Sequence, residues 1–120
     1  MLSYMKFKLI SLSLLFATTA FADMQMQMDP NEAKFMQDMN VKMKQMDKGM
    51  AAPMSGNVDR DFVVMMMPHH QGAVDMAKGE LSYGKDPAMR KLAQKIVDGQ
   101  DAEIVVMKKW LERHPEMKGM

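Results

Sequence analysis

The chain has 120 residues, of which 19 are methionine and none is cysteine, and its net charge is +1. This length allows one domain with a modest core, and the balanced charge excludes a strongly basic surface for nucleic acid. The absence of cysteine excludes disulfide bonds and thiolate metal sites. Methionine and histidine are the soft ligands that remain, and they suit Cu(I) better than hard cations.

The N-terminal residues 1–22 are predicted to form a cleaved signal peptide. Two lysines precede an apolar stretch at residues 9–17, and residues 20–22 fit the small-x-small pattern of a cleavage site. A start at Met5 would give an equally good signal, so both starts stay open. Because the apolar stretch is shorter than the ~20 residues of a spanning helix, we expect a periplasmic or secreted protein without a membrane anchor after cleavage.

Residues 23–28 alternate polar side chains with methionine, and we expect a flexible tail that captures metal loosely. A helical domain is expected over residues 29–120. Asp29-Pro30 is typical of a helix start, because the acid caps free amides and proline fits the first turn. Five methionines at spacings of three and four residues then predict the buried face of the first helix, with metal sampling as the alternative. They are Met36, Met39, Met43, Met46 and Met50.

Two further helices are predicted, over about residues 59–83 and 87–113. Pro68 lies inside the second helix, removes one backbone hydrogen bond and predicts a kink or bulge near Val64. No strand pattern occurs in the mature chain, so we expect an all-α protein with three main helices. An open apolar groove between three helices is consistent with a homodimer that completes a four-helix bundle.

The main candidate site is centred on two adjacent histidines in the second helix. His69 and His70 each follow a methionine by about one helical turn, and this pattern favours a soft-metal site over two core histidines. Gln100 and Glu103 lie on or near the apolar face of the third helix and are predicted to orient the imidazoles by hydrogen bonds. The alternative is a polar network without metal. The predicted ligands are Met65, Met66, His69, His70, Met76 and Met107.

Other features of the sequence receive no ligand or catalytic role. Met67 falls further round the second helix and is expected to pack, and His114 is expected to be solvated. No histidine follows a glutamate by three residues, as di-iron carboxylate bundles require, and the zinc protease motif is absent. We therefore expect no catalytic centre.

Two blocks of the sequence resemble a known family. Residues 61–77, with the run Met-Met-Met-Pro-His-His, look like the core motif of the DUF305 family, and residues 92–111 look like its second block. The resemblance covers about residues 59–112. It implies a small ferritin-like helical bundle, exported, that binds copper or silver and supports copper tolerance. The family's ligand-type positions fall here on Met65, Met66, His69, His70 and Met76.

The expected function is therefore the sequestration or relay of Cu(I) in the periplasm, with Cu(II) or Ag(I) as further ions and no enzymatic step. Partners would be the metal ion and other periplasmic copper-handling proteins, without nucleic acid. The alternative is a holdase-like module that binds peptides through its methionine surface, although paired histidines serve no purpose there. A copper-dependent oxidase or reductase is a third interpretation.

Overall fold

The protein folds into three α-helices, as the sequence predicts. The computed structural model describes residues 29–115, and no strand occurs in this range. The helices are α1 (Pro30–Met50), α2 (Val58–Tyr83) and α3 (Pro87–Arg113). None of these described helices is long and apolar enough to cross a membrane. The all-α class is confirmed, and the architecture is a small helical bundle.

The chain divides into two compact units, Met1–Ala33 and Lys34–Met120. Only residues 29–33 of the first unit are described, and they contain the beginning of α1. The predicted signal peptide at residues 1–22 and the predicted tail at residues 23–28 lie outside the described residues. Both therefore stay predictions.

Each helix begins at a polar side chain that caps its first amides. Asp29 accepts a hydrogen bond at 2.7 Å from the backbone N–H two residues further on. Asp86 accepts one at 2.9 Å from the N–H three residues further on. α2 begins at Val58, one residue before the predicted start, because the Asn57 side chain accepts a hydrogen bond from the Arg60 N–H.

Pro68 does not interrupt α2. The residues on both sides stay α-helical and no π-turn occurs near Val64, so, of the expected kink or bulge, the bulge is absent. A proline removes only one backbone donor from a helix. The ring packs against Gly49 of α1, where an added Cβ atom would lie 2.6 Å from the Pro68 Cβ. Pro68 is therefore a packing residue at the contact between α1 and α2.

α1 packs on α2 at two glycines. A Cβ atom added to Gly72 would lie 2.5 Å from the sulfur of Met46, and one added to Gly79 would lie 2.8 Å from the ring of Phe35. Because glycine has no side chain, residues of α1 reach the backbone of α2 at these points. The close approach of the two helices depends on both glycines.

Tyr83 stabilises the contact between α1 and α2 at the C-terminal end of α2. Its hydroxyl donates a hydrogen bond to the Asp38 carboxylate (2.6 Å), and its ring meets Phe35 edge-on with 6.4 Å between centroids. The hydrogen bond to Asp38 raises the pKa of the Tyr83 phenol. Because Phe35 lies near Tyr83 while Gly49 lies near Pro68, α1 runs antiparallel to α2.

The methionine seam of α1 is only partly covered. Met39 and Met46 reach the glycines of α2, and Met50 is half-buried, whereas Met36 is 48% exposed. No residue of α1 is fully buried. The expected buried face is therefore a half-buried one, because α1 packs against α2 along one side.

α2 and α3 hold the core. Val63 and Val74 of α2 cluster with Ile104 and Met107 of α3, and Val74 is fully buried. Burial of such side chains is the main favourable term in folding. Met67 packs against this cluster, as expected. The partly buried side chains around the cluster are Met66, Met67, Val97, Trp110 and Leu111.

α1 and α3 lie on opposite sides of α2. Pro68 and Gly72 contact α1, whereas His70 and Val74, each two residues further along, contact α3. Two residues turn a helix through about 200°. The two lines of contact on α2 are therefore almost diametrically opposed, and α2 is the central helix of residues 34–115.

Gly79→Ala should destabilise the protein, although alanine favours a helix over glycine by about 1 kcal/mol. The new methyl group would overlap the Phe35 ring, and overpacking costs about 1–3 kcal/mol. Gly99→Ala in α3 is the matched control, because no neighbouring atom lies within 4 Å of its Cβ position. Thermal denaturation should give a lower Tm for Gly79→Ala and a higher one for Gly99→Ala. An equal rise in both would contradict the close contact of α1 with α2.

Candidate metal site

A groove lined mainly by methionine lies where α1, the loop that follows it and α2 meet. Its volume is about 420 Å³. Four methionines and one histidine line this single opening, whose surface is almost wholly apolar, and Asp61 is the one acidic residue among them. We call it the methionine groove, and its walls are Met50, Met54, Val58, Asp61, Phe62, Met65, Met66 and His69.

Helical spacing brings the α2 side of the groove together. Met65 follows Phe62 by three residues and precedes His69 by four, so the three side chains share one face of α2. This face lies between the lines of contact with α1 and with α3. Phe62 and Met65 remain 57% and 44% exposed, so the opening is accessible from solvent.

The loop after α1 brings Met54 to the groove. Asp61 accepts a hydrogen bond at 2.9 Å from the backbone N–H of Ser55, the residue next to Met54, and so holds the loop against the first turn of α2. The hydrogen bonds from the Ser55 side chain and backbone lower the pKa of Asp61. These hydrogen bonds favour the charged carboxylate, which holds the loop in place at the edge of the groove.

His70 faces α3. Its Nε2 lies 2.5 Å from Oε2 of Glu103, and its Nδ1 lies 3.0 Å from the carbonyl oxygen of Met66. A carbonyl and a carboxylate are both acceptors, so the ring bonds both by donating from both nitrogens, or Glu103 supplies the second proton. In either case, no nitrogen lone pair of His70 is free for a metal ion.

The two adjacent histidines have different neighbours. One residue turns a helix through about 100°, and the ring centroids of His69 and His70 lie 6.3 Å apart with 60° between the ring planes. His69 is exposed and lines the groove. His70 is largely covered, with 13% of its side chain exposed. The pair is therefore divided between the groove and the contact of α2 with α3.

The hydrogen bond predicted between Glu103 and a histidine is present, and it is formed with His70. The Glu103 side chain is 64% exposed, so water weakens this contact. Gln100 is half-buried, and no hydrogen bond within residues 29–115 joins it to either histidine. Glu103 thus orients the histidine that contacts α3 and does not line the groove.

Two of the predicted sulfur ligands lie away from the groove. Met107 is part of the core between α2 and α3. Met76 is 45% exposed and follows His69 by seven residues, which is about 10 Å along the helix axis. Of the predicted ligands, the structure brings together Met65, Met66 and His69.

His114 is exposed, as expected, and it also closes the end of α3. Its ring stacks on Trp110 with 4.1 Å between centroids, and its Nδ1 lies 2.8 Å from the Trp110 carbonyl oxygen. Its own carbonyl oxygen accepts a hydrogen bond from Arg60 of α2 (2.8 Å). His114 therefore links the end of α3 to the beginning of α2. Across residues 29–115, no three His, Asp or Glu side chains are placed to hold a metal ion together.

The sequence pattern does not place Met50 and Met54 beside His69. Met50 is the last methionine of the α1 seam, and Met54 lies in the break between two helices, where helical periodicity no longer applies. One signal was available, because Met46, Met50 and Met54 follow each other at intervals of four residues. The hydrogen bond of Ser55 with Asp61 is a tertiary contact and carries no such signal.

The chain is similar to a protein family over most of its length. The family is described as "Domain of unknown function (DUF305)", and its profile matches residues 12–111. The match confirms the family resemblance and extends it beyond residues 59–112 to α1, Met50 and Met54. No curated protein matches the chain.

Replacing His70 or Glu103 with alanine should lower the stability of the contact between α2 and α3. Because each change removes the same hydrogen bond, the double variant should be less destabilised than the sum of the single variants. The coupling should be about 0.5–1 kcal/mol, given the exposure of the carboxylate. Urea denaturation of the four proteins measures it, with His69→Ala paired to Glu103→Ala as the control cycle. Equal coupling in both cycles would contradict the specific bond of His70 with Glu103.

Proposed function

The chain belongs to the DUF305 family, and we propose that it is an exported protein that binds Cu(I) as cargo in the methionine groove. The ion is held and handed on, and no covalent bond of another substrate is made or broken. Cu(II) and Ag(I) are further candidate ions. The observation that carries the proposal is that four methionines and one histidine are among the residues that line a single opening.

The donor set of the groove favours a soft ion. Thioether sulfur is neutral and polarizable, and it selects Cu(I) over ions such as Mg²⁺ or Ca²⁺ that prefer oxygen. His69 adds an imidazole nitrogen, which also suits copper.

The accessibility of the groove supports relay as well as sequestration. Met54 is 87% exposed and Met65 is 44% exposed. An ion bound to accessible thioethers can pass to another protein by stepwise exchange of ligands, without unfolding of the carrier. Other copper-handling proteins of the periplasm are the proposed partners, and export rests on the predicted signal peptide at residues 1–22.

The proposed ligands differ from the set predicted from the sequence. His70 and Met107 have structural roles at the contact of α2 with α3, and Met76 is a surface residue two helical turns from His69. The proposal therefore replaces these three with two methionines from the end of α1 and the following loop. The proposed ligands are Met50, Met54, Met65, Met66 and His69.

Replacing the four groove methionines with leucine should remove tight Cu(I) binding. Leucine keeps the apolar volume of methionine, so the fold should persist, while all four sulfur donors are lost. We expect the Cu(I) affinity to fall by more than the ~10–100-fold that changes around a ligand shell typically cost. Anaerobic competition with a chromogenic Cu(I) chelator measures the affinity, and native mass spectrometry counts the bound ions.

A matched control replaces Met36, Met76 and Met89 with leucine, because these are 45–48% exposed and lie outside the groove. This variant should keep the affinity of the tightest site. Equal losses in the two variants would mean that copper binds across the methionine surface, and the groove would be rejected as the site. Unchanged copper binding in both, with reduced suppression of client aggregation in the groove variant, would favour the peptide-binding alternative.

Replacing each of the two histidines should have a different effect on the Cu(I) affinity in the same titration. His69→Ala should weaken Cu(I) binding by at least about tenfold, because it removes a donor from the groove. His70→Ala should leave the affinity almost unchanged, although it lowers the stability of the fold. A greater loss of affinity in His70→Ala than in His69→Ala would contradict the assignment of His69 as the ligand.

A further inference from the structure

The helices of residues 34–115 present a polar side and an apolar side. On the polar side, Gln71 donates a hydrogen bond to Asp75 in α2 (3.2 Å), and Gln94 donates one to Asp98 in α3 (2.9 Å). All four residues are polar, and Asp75 and Asp98 carry charge. This side is suited to water.

The apolar side of α1 and α2 is the side of the methionine groove. Met36, Met43 and Met50 follow each other at intervals of seven residues and so lie on one line along α1. Met50 lines the groove together with Phe62 of α2. The line from Met36 to Met50 therefore lies on the same side as Phe62 and Met76, which are 57% and 45% exposed.

α3 contributes to the same side. His70 lies between the groove face of α2 and the core-facing Val74, so its hydrogen bond places Glu103 on the groove side. Leu92 and Ile96 precede Glu103 at spacings that put all three on one line of α3. Leu92 is 49% exposed. The three helices thus share one apolar side that the described chain does not cover.

We name this side the exposed apolar face. Its members share a large apolar side chain and an exposed fraction between 44% and 87%. They are Met36, Met54, Val58, Phe62, Met65, Met76, Met89 and Leu92.

We propose that a second copy of this chain covers the exposed apolar face. Eight side chains of this size, about half exposed, present on the order of 100 Å² each and therefore roughly 800 Å² together, which is what one partner contributes to a standard interface. A two-fold axis sets the same surface against itself. Flexible methionine side chains adapt to such a self-contact.

The small size of the hydrophobic core also favours a second copy as the partner that covers this face. Val74 is the one large side chain that is fully buried among the described residues, because α2 is packed on two opposite sides only. A second copy supplies a third packed side for α2 and covers the groove, so the handover of an ion proposed above would take place from the monomer. The dimer is then two layers of three helices, rather than the four-helix bundle that the sequence suggested.

The charges of the exposed apolar face disfavour a lipid surface as the occupant. On each helix, the residues that share the line of the exposed apolar face include an acidic one: Asp47 on α1, Glu80 on α2 and Glu103 on α3. These lines contain no lysine or arginine. Helices that lie on anionic membranes place basic residues beside their apolar face. An apolar protein surface is therefore a better match for the exposed apolar face than a lipid surface.

Sedimentation velocity of the metal-free protein, expressed from its full sequence, tests the proposal. At about 1–100 μM, the protein should sediment as a dimer. Leu92→Glu should raise the dimer Kd by at least about 30-fold, because it buries a charge in the interface. Val105→Glu is the matched control, since Val105 is 48% exposed but lies about 140° away round α3, and it should stay dimeric. Met76→Glu is the second face variant, and circular dichroism confirms that each variant is folded.

A wild-type monomer at all these concentrations would overturn the proposal, and so would a loss of dimer in Val105→Glu equal to that in Leu92→Glu. Association of that monomer with phosphatidylglycerol vesicles would assign the face to lipid instead. Because copper is absent throughout, a dimer that depends on Leu92 supports the interface even if the methionine groove binds no copper. Failure of copper binding and failure of the dimer are therefore separate results.

Discussion

The two-sided packing of α2 is the constraint on which the rest of the structure depends. Positions two residues apart in this helix point in nearly opposite directions, and the chain uses them for different neighbours. Gly72 lets α1 approach the backbone, whereas Val74 fills the core against α3. α1 is thus packed on α2 through glycine, and α3 is packed on α2 through a buried aliphatic side chain.

This arrangement explains why a chain so rich in apolar residues has a small core. Val63 and Val74 on α2 bury their side chains with two residues of α3, while α1 contributes half-buried side chains. Methionine suits such a half-covered position, because its flexible thioether packs irregularly and still tolerates water. The same property suits the methionines of the groove, of which Met54 and Met65 are 87% and 44% exposed.

The adjacent histidines show how one step along a helix gives two identical side chains different neighbours. His70 uses both nitrogens to hold α2 to α3 through Glu103 and the Met66 carbonyl. His69, about 100° away, keeps its ring at the groove.

The sequence by itself determined the helices and the family. Capping residues such as Asp29 and Asp86, with proline after each, placed two helix starts, and apolar spacing of three and four predicted the all-α class. Periodicity reports which residues share a face of one helix. It does not report which neighbour that face meets.

Only the tertiary structure decided which methionines line the same groove as a histidine. Met107 lies on the apolar line of α3 in the sequence, yet this line faces the core. Met54 lies in a loop without periodicity, yet the hydrogen bond of Ser55 with Asp61 brings it to the groove. The physical reason is that a site built from two helices and a loop depends on contacts between residues far apart in the chain, and local spacing carries no information about such contacts.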